Sequence, residues 1–216
     1  MEIISNKLGF DQDRKEYNQK SKILADKINA TFWDEKDQFY YDRNEITGQL
    51  IRVKLIAGFI PLFAGIASKE RAESLIKKHL INKQEFWNNY PVATYSKTEP
   101  DYTQTPVEGL EWECRGPAWL PINYMIFHGL IDYGYTYIAK ELALKTFEMV
   151  YQKNNVTREY YNGETGAGMG QNPFWGWTTI AWLMPFELEL KVNPTRIDDK
   201  PLTKIGTDIF KISFPK

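Results

Sequence analysis

The chain is poor in the residues that staple small domains or hold metals. Among 216 residues there is one cysteine, Cys114, and there are two histidines, His79 and His128. A single cysteine closes no intrachain disulfide, so the redox compartment is left unreported. No Cys/His set has zinc-ligand spacing. His128, between Phe127 and Gly129 in an apolar stretch, reads as a hydrogen-bonded core histidine. The acids Asp34, Glu35, Asp37 and Asp42 lack the central glycine and terminal glutamate of a calcium loop. No metal and no cofactor is expected. No uninterrupted apolar run reaches the ~18 residues of a membrane span. The first residues, MEIISNKLGF, lack the basic start and apolar stretch of a secretion signal, which tilts the expected location toward the cytoplasm. Charge is balanced, with 27 basic and 28 acidic side chains, so neither nucleic acid nor an anionic membrane is an expected partner.

Aromatic residues are abundant instead: 12 Phe, 7 Trp and 13 Tyr. Many stand in polar company, as in FWDEKDQFYYD, EFWNNY, REYYN and NPFWGW. Core aromatics usually sit among aliphatics. Aromatics beside Asp, Glu, Asn and Arg suit a sugar, with its apolar face and rim of hydroxyls; rigid loops packed by their own rings would look the same.

The apolar spacing predicts an all-α chain of six helices. Residues 12–32 carry a stripe of Tyr17, Leu24, Ile28 and Phe32. Residues 51–67 are almost wholly apolar after Lys54, with Pro61 as a kink. Ser68 caps a helix over about 69–81, with Ala72, Leu75, Ile76 and Leu80 on one face. Residues 116–131 open on Pro117, a good first-turn proline. After Gly134, residues 135–153 carry Tyr135, Ile138, Leu142 and Val150. Residues 174–191 form the last helix, kinked at Pro185. Short strands are expected only in places such as 39–42 and the ISFP near the end, within a polar tail over 193–216.

The order of these helices carries more than their number. The first, third and fifth are charged on one face and belong outside; the second, fourth and sixth are apolar nearly all round and belong inside. Inner-to-outer joins are short, while the outer-to-inner joins, about 33–50, 82–115 and 154–173, are long. In such an in-and-out array every long join falls at one end, the N-terminal end of the inner helices. Loops of that length are usually functional. The whole of 1–216 reads as one domain: three helical hairpins with one decorated mouth and short hairpins in its loops.

Three segments can carry chemistry. In CRGPAWLPINYMIFHG, Arg115, Trp119 and Asn123 are spaced by four and would share one helix face. An arginine opposes the dipole of a helix first turn, so an oxygen-rich ligand or a carboxylate must hold it. A structural pair with Glu111 or Glu113 is the plainer reading. In TREYYNGETGAGMGQNPFWGW, Glu159 sits between Arg158 and two tyrosines that could orient a water-activating carboxylate; for a lone glutamate, an exposed loop residue is the plainer reading. The glycines there match neither phosphate-binding pattern, since no GxxxxGK[ST] occurs and GxGxxG would need glycine at Gln171. They fit close backbone approach to a ligand or a helix end. The third, FWDEKDQFYYD, reads as a tight hairpin. No GxSxG supports a serine triad.

Together these segments resemble glycoside hydrolase family 63, which includes processing α-glucosidase and bacterial mannosylglycerate-type hydrolases. CRGPAWLPINY is similar to the family's WRGPxW…NY segment, with Cys114 in place of the usual tryptophan. FWDEKDQFYYD and PVATYSKTEPDY resemble its aromatic-acidic hairpin and the stretch before the arginine motif. REYYNGETGAGMG…FWGWTT resembles its E-x-Y-N-P-E-T-G segment and the helix start that follows. Trehalases share a more distant version.

The resemblance runs from about residue 20 to 190 and implies about half of an (α/α)6 barrel and an inverting α-glycosidase. It places Glu159 on the general base. It places Arg115, Trp119 and Asn123 on the sugar-lining motif, with Trp33, Tyr160, Trp175 and Trp177 beside them. The general acid it implies, an aspartate of a G-x-D motif, has no counterpart here. Only Glu108, Glu111 and Glu113 stand as substitutes, on the arginine's own side. Inversion needs two carboxyl groups roughly 6.5–9.5 Å apart.

The function expected is hydrolysis of an oligosaccharide or small α-glycoside, with the acid and an N-terminal half-barrel supplied from outside the chain, or with self-association closing the ring. Alone, the chain is expected to be inactive. The alternatives are an inactive truncated relative, a carbohydrate-binding protein and, last, a sugar epimerase, which typically needs paired histidines at the mouth.

Overall fold

The computed structural model describes residues 1–105, 115–154 and 156–191. The substitute acids Glu108, Glu111 and Glu113, Cys114, and the tail with its ISFP strand lie outside the described residues. The chain divides into two compact units, Met1–Val53 and Lys54–Lys216.

In the first unit, α1 (Glu2–Lys7) and α2 (Asp11–Thr31) are packed against each other. Asn18 ties them by donating to Glu2 at 2.8 Å. The expected hairpin follows: β1 (Trp33–Asp34) pairs antiparallel with β2 (Phe39–Tyr40), and β3 (Asp42–Arg43) pairs with β4 (Leu50–Ile51). Gln38, at φ 58°, supplies the left-handed residue that the tight turn needs. Arg52 clamps the turn by reaching the carboxylates of both Asp34 and Asp37.

In the second unit, a 3₁₀ turn (Ile56–Phe59) leads into α3 (Ile60–Phe63). α4 (Lys69–Ser74) continues as a wider π-helical stretch over Leu75–Leu80. α5 (Leu120–Asp132) is followed by α6 (Thr136–Phe147), which also ends in a π stretch, Glu148–Gln152. Between them Gly134 takes φ +84°, which permits the tight turn. β5 (Tyr160–Tyr161) pairs with β6 (Gly168–Met169). A 3₁₀ turn, Trp177–Thr179, opens α7 (Ile180–Leu190).

The layering of this unit follows the helix polarities. α5 packs on α3 and α7 as well as on α6, the position of an inner helix. α4 and its extension bury Ala72, Leu75, Ile76 and Leu80, the face expected from spacing. Ser68 caps α4 as expected, accepting from the Arg71 amide at 3.2 Å. α3 and α5 cross closely at Gly129, where an added Cβ would lie 2.8 Å from Leu62 Cβ and 3.0 Å from the Phe63 nitrogen. Each fully buried Leu, Ile or Phe in this layer contributes ~1.5–3 kcal/mol of burial.

Three sequence expectations are corrected. The helix expected over 51–67 is confined to 56–63. Leu50 and Ile51 are taken by the pairing with Arg43 and Asp42, and Leu55 forms a bridge with Tyr95. Pro61 sits in the first turn of α3, where a missing amide costs nothing, so it starts this helix rather than kinking it. Gly65, at φ +66°, ends it.

The second correction concerns the helix expected at 116, which begins at Leu120. Pro121 is its first-turn proline, while Ala118 is drawn into extended pairing with Ala93 and Tyr161. Arg115 and Trp119 therefore precede the helix, and the shared helix face and dipole argument do not apply to them. Third, α7 is not buried all round: Ala181, Met184 and Glu187 face inward, but Trp182 and Leu183 are exposed.

Candidate active site

Two long loops meet at the N-terminal ends of α5 and α7. Their junction is one residue pair: the Ala118 amide donates to the Tyr161 carbonyl at 2.8 Å, and the Tyr161 amide donates back at 3.1 Å. Antiparallel register then places Trp119 opposite Tyr160. Their rings stack 4.9 Å apart and 6° from parallel. Trp177 adds a third ring, 5.7 Å from Trp119 and tilted by 37°. The result is a patch of one phenol and two indoles. The indole N–H of Trp119 is buried without an acceptor among the described residues.

Glu159 stands at the edge of this patch, half-buried. Its backbone is latched on both sides. The Trp177 indole donates to its carbonyl at 2.7 Å, and Thr178 Oγ1 donates to the carbonyl of Arg158 at 3.0 Å. The amide of Arg158 donates to the Tyr161 hydroxyl at 3.0 Å. One carboxylate oxygen, Oε2, accepts from the Gln171 amide at 3.1 Å. Gly170, at φ +67°, lets the turn close over it: a Cβ there would stand 2.7 Å from that same oxygen and 2.5 Å from the Tyr160 ring. The carboxylate is thus oriented through one oxygen beside an aromatic cluster in which Tyr160 is buried and the two indoles are half-buried.

The remaining candidates are placed less uniformly. Arg115 is half-buried just before the bridge, its carbonyl accepting from the Thr103 amide at 2.9 Å. Burial, with Asp101 and Glu99, holds the Tyr95 phenol above its ordinary value, and the nearby Arg115 guanidinium opposes that. Asn123 is wholly buried in the first turn of α5. Its amide donates to the Pro91 carbonyl at 2.9 Å and accepts from the Val92 amide at 3.3 Å, so it acts on backbone. Trp175 is exposed, 78% of its surface being open to solvent. Trp33 belongs to the first unit, buried and edge-on to Tyr40. Among the described residues no cluster of His, Cys, Asp and Glu could hold a metal, and no helix is long and apolar enough to cross a membrane.

A family model describing the mannosylglycerate hydrolase MGH1-like glycoside hydrolase domain matches residues 3–178. The chain belongs to this glycoside hydrolase family. Mannosylglycerate hydrolase MGH1 of Selaginella moellendorffii is 33% identical over 156 residues, which is 71% of this chain and 30% of that protein. The structure of the GH63 mannosylglycerate hydrolase of Thermus thermophilus with glucose matches at a TM-score of 0.61 and 30% identity, over 71% of this chain and 36% of that one. Neutral trehalase Nth1 of Saccharomyces cerevisiae matches at 0.63 and 21% identity, over 84% of this chain and 34% of that one, a likeness of fold alone. The chain thus spans about a third of these relatives, and its helices are those of an α/α toroid fragment.

Some residues around the candidate site carry no motif. Gln171 and Thr178 touch Glu159 or its neighbour through single polar groups, and Gln104 lies beyond the end of the PVATYSKTEPDY segment. Nothing in spacing marks them. The only sequence signal was the run of glycines, which told where backbones come close.

Proposed function

We propose that this chain supplies the base side of a catalytic domain that hydrolyses α-glycosidic bonds with inversion, the general acid coming from outside the chain. The reading is carried by Glu159, held by backbone latches at the edge of the Trp119–Tyr160–Trp177 patch. A sugar ring laid on that patch buries its apolar face on the half-buried indoles of Trp119 and Trp177, with the buried Tyr160 ring backing Trp119. The free oxygen of Glu159 accepts a proton from water as the water attacks the anomeric carbon. Glu159 Oε2 stays bound to the Gln171 amide, which fixes the carboxylate plane. Arg115 brings a fork of donors for sugar oxygens.

In this reading the acid that faces Glu159 comes from outside the chain. The relatives are matched over about a third of their length, which leaves room for that wall elsewhere. A poor alkoxide leaving group needs protonation as it departs, so the chain alone turns nothing over. The test is complementation: this chain is co-expressed with the preceding part of a family barrel and assayed on α-glucosides and α-mannosides. Turnover that needs both parts and Glu159 supports the reading. Turnover by the partner part alone sinks it.

A second reading, sugar binding without turnover, is favoured by Trp175, whose exposed ring lies on the segment that leads to Trp177. Saturable sugar binding by the chain, with no turnover under any complementation, would select it.

A further inference from the structure

The pairing between the two site loops opens two residues beyond the Ala118–Tyr161 bridge. In an antiparallel ladder, residues that exchange both hydrogen bonds recur every second position. The next such pair is Gly116 with Gly163, yet these two do not bond each other. A side chain stands between them. Gln104 Oε1 accepts from the Gly163 amide at 2.8 Å, and Gln104 Nε2 donates to the Gly116 carbonyl at 3.0 Å. One partner is an N–H and the other a C=O, so only one orientation of the amide satisfies both.

The remaining backbone groups of the pair are also met from outside the ladder. The Gly163 carbonyl accepts from the Tyr90 amide at 2.8 Å, and the Gly116 amide donates to Thr94 Oγ1 at 3.0 Å. Gln104 Nε2 donates as well to the Tyr102 hydroxyl at 2.6 Å, which itself donates to Glu164 at 3.2 Å. Both glycines are enforced: a Cβ on Gly116 would lie 2.3 Å from the Thr103 carbonyl oxygen, and one on Gly163 would lie 2.5 Å from Asn88 Nδ2.

We propose that Gln104 is a positioning residue. Its amide is a wedge of fixed width between the segment that runs from Arg115 to Ala118 and the β5–β6 hairpin that Glu159 leads into. It thereby sets where the base stands relative to the arginine, a role that rests on the function proposed above. Gln104 touches neither Glu159 nor Arg115 side chains in the bonds just given, and it acts through backbone at both ends. Leucine at this position fills the same space and leaves the Gly163 amide and the Gly116 carbonyl unpaired. Glutamate keeps the acceptor for Gly163 but sets a carboxylate against the Gly116 carbonyl.

The test uses this chain complemented as above, with Gln104→Leu and Gln104→Glu beside the wild type. Steady-state kinetics are read together with amide hydrogen exchange at Gly163, Tyr161 and Ala118. Exchange at Ile126 and Leu130 in α5 reports whether each variant is folded. The expected result for Gln104→Leu is a kcat lower by roughly 10- to 100-fold, KM changed by less than about threefold, and lost protection at Gly163 and Tyr161, with α5 unchanged. Gln104→Glu should keep the Gly163 protection and recover part of kcat.

Three results overturn the proposal. Gly163 protection unchanged in Gln104→Leu denies the wedge. Protection lost with kcat intact denies its effect on the base. A rise in KM with kcat intact makes Gln104 a substrate contact. If the wild-type complex itself turns nothing over, the proposed function fails. Exchange then decides the wedge alone: protection lost at Gly163 and Tyr161 supports it, and protection retained overturns it.

Discussion

The indole N–H of Trp177 donates to the backbone carbonyl of Glu159 at 2.7 Å. The residue that opens the last helix of the described chain therefore holds the candidate base by its main chain, while its ring extends the aromatic patch on which that base looks. Position and surface are set by one side chain, so a change at Trp177 alters both.

Replacing Glu159 by Gln tests the base most cleanly. The amide keeps the shape and can still accept from the Gln171 amide, but it cannot take a proton from water. In the complemented domain kcat should fall by about 10²–10⁴ while sugar binding is largely kept. Stopped-assay kinetics and a binding titration with the same sugar separate the two. An unchanged kcat removes Glu159 from the role.

Arg115 makes a second test. If its planar fork holds two oxygens at once, Arg115→Lys should not rescue Arg115→Ala, and both should lose on the order of 10–100-fold in kcat/KM. A fully active lysine variant reduces Arg115 to a point charge.

Much of this arrangement was legible in the sequence, and the parts that were not have a common cause. Helical spacing found α2, the α4 face and α6, because those elements follow a 3.6-residue rhythm. It overextended α3 and began α5 too early, because an apolar run reads alike whether its first residues wind or pair. Leu55 and Ala118 pair with partners far along the chain, Tyr95 and Tyr161, and no local rule sees those partners. Spacing puts Asn123 on a helix face with Trp119, and the family resemblance puts it on the sugar-lining motif. Its wholly buried amide holds the 91–92 backbone, a partner that spacing does not reveal. The aromatic residues in polar company are the better guide for Tyr160 and Trp177, which converge; Trp119, from the apolar stretch GPAWLP, joins them through the Ala118–Tyr161 pairing.

Gly129 gives a stability test independent of function. Its hydrogen faces Leu62 and the backbone of Phe63, and an added methyl has no room there. Gly129→Ala should destabilise the second unit by ~1–3 kcal/mol despite the better helix propensity of alanine. Urea unfolding of this chain measures it. A neutral or stabilised variant would show that α3 and α5 are not so closely crossed.

The pH dependence of stability should have an acid limb from Glu85. Burial raises this carboxyl, but hydrogen bonds from His79 and Lys54 outweigh it, leaving the group below its ordinary value. A carboxylate with a depressed folded pKa stabilises the fold at pH above its unfolded value, 4.5, and that contribution is lost as pH falls through the folded value. Melting temperature followed from pH 7 down to about 3 should therefore drop less steeply in Glu85→Gln than in wild type, from a lower starting point. Parallel curves would assign the acid limb to other carboxylates.

The central claim is that this chain carries the base of a glycosidase and needs its acid from elsewhere. The most direct measurement is release of reducing sugar from a panel of α-glucosides and α-mannosides. It is made with the purified chain alone and with the chain complemented by the preceding part of the barrel. The account predicts no enzyme-like turnover from the chain alone, and turnover from the complemented domain that Glu159→Gln removes. Robust hydrolysis by the isolated chain, abolished by Glu159→Gln, would contradict it by showing that both carboxyl groups are already present here.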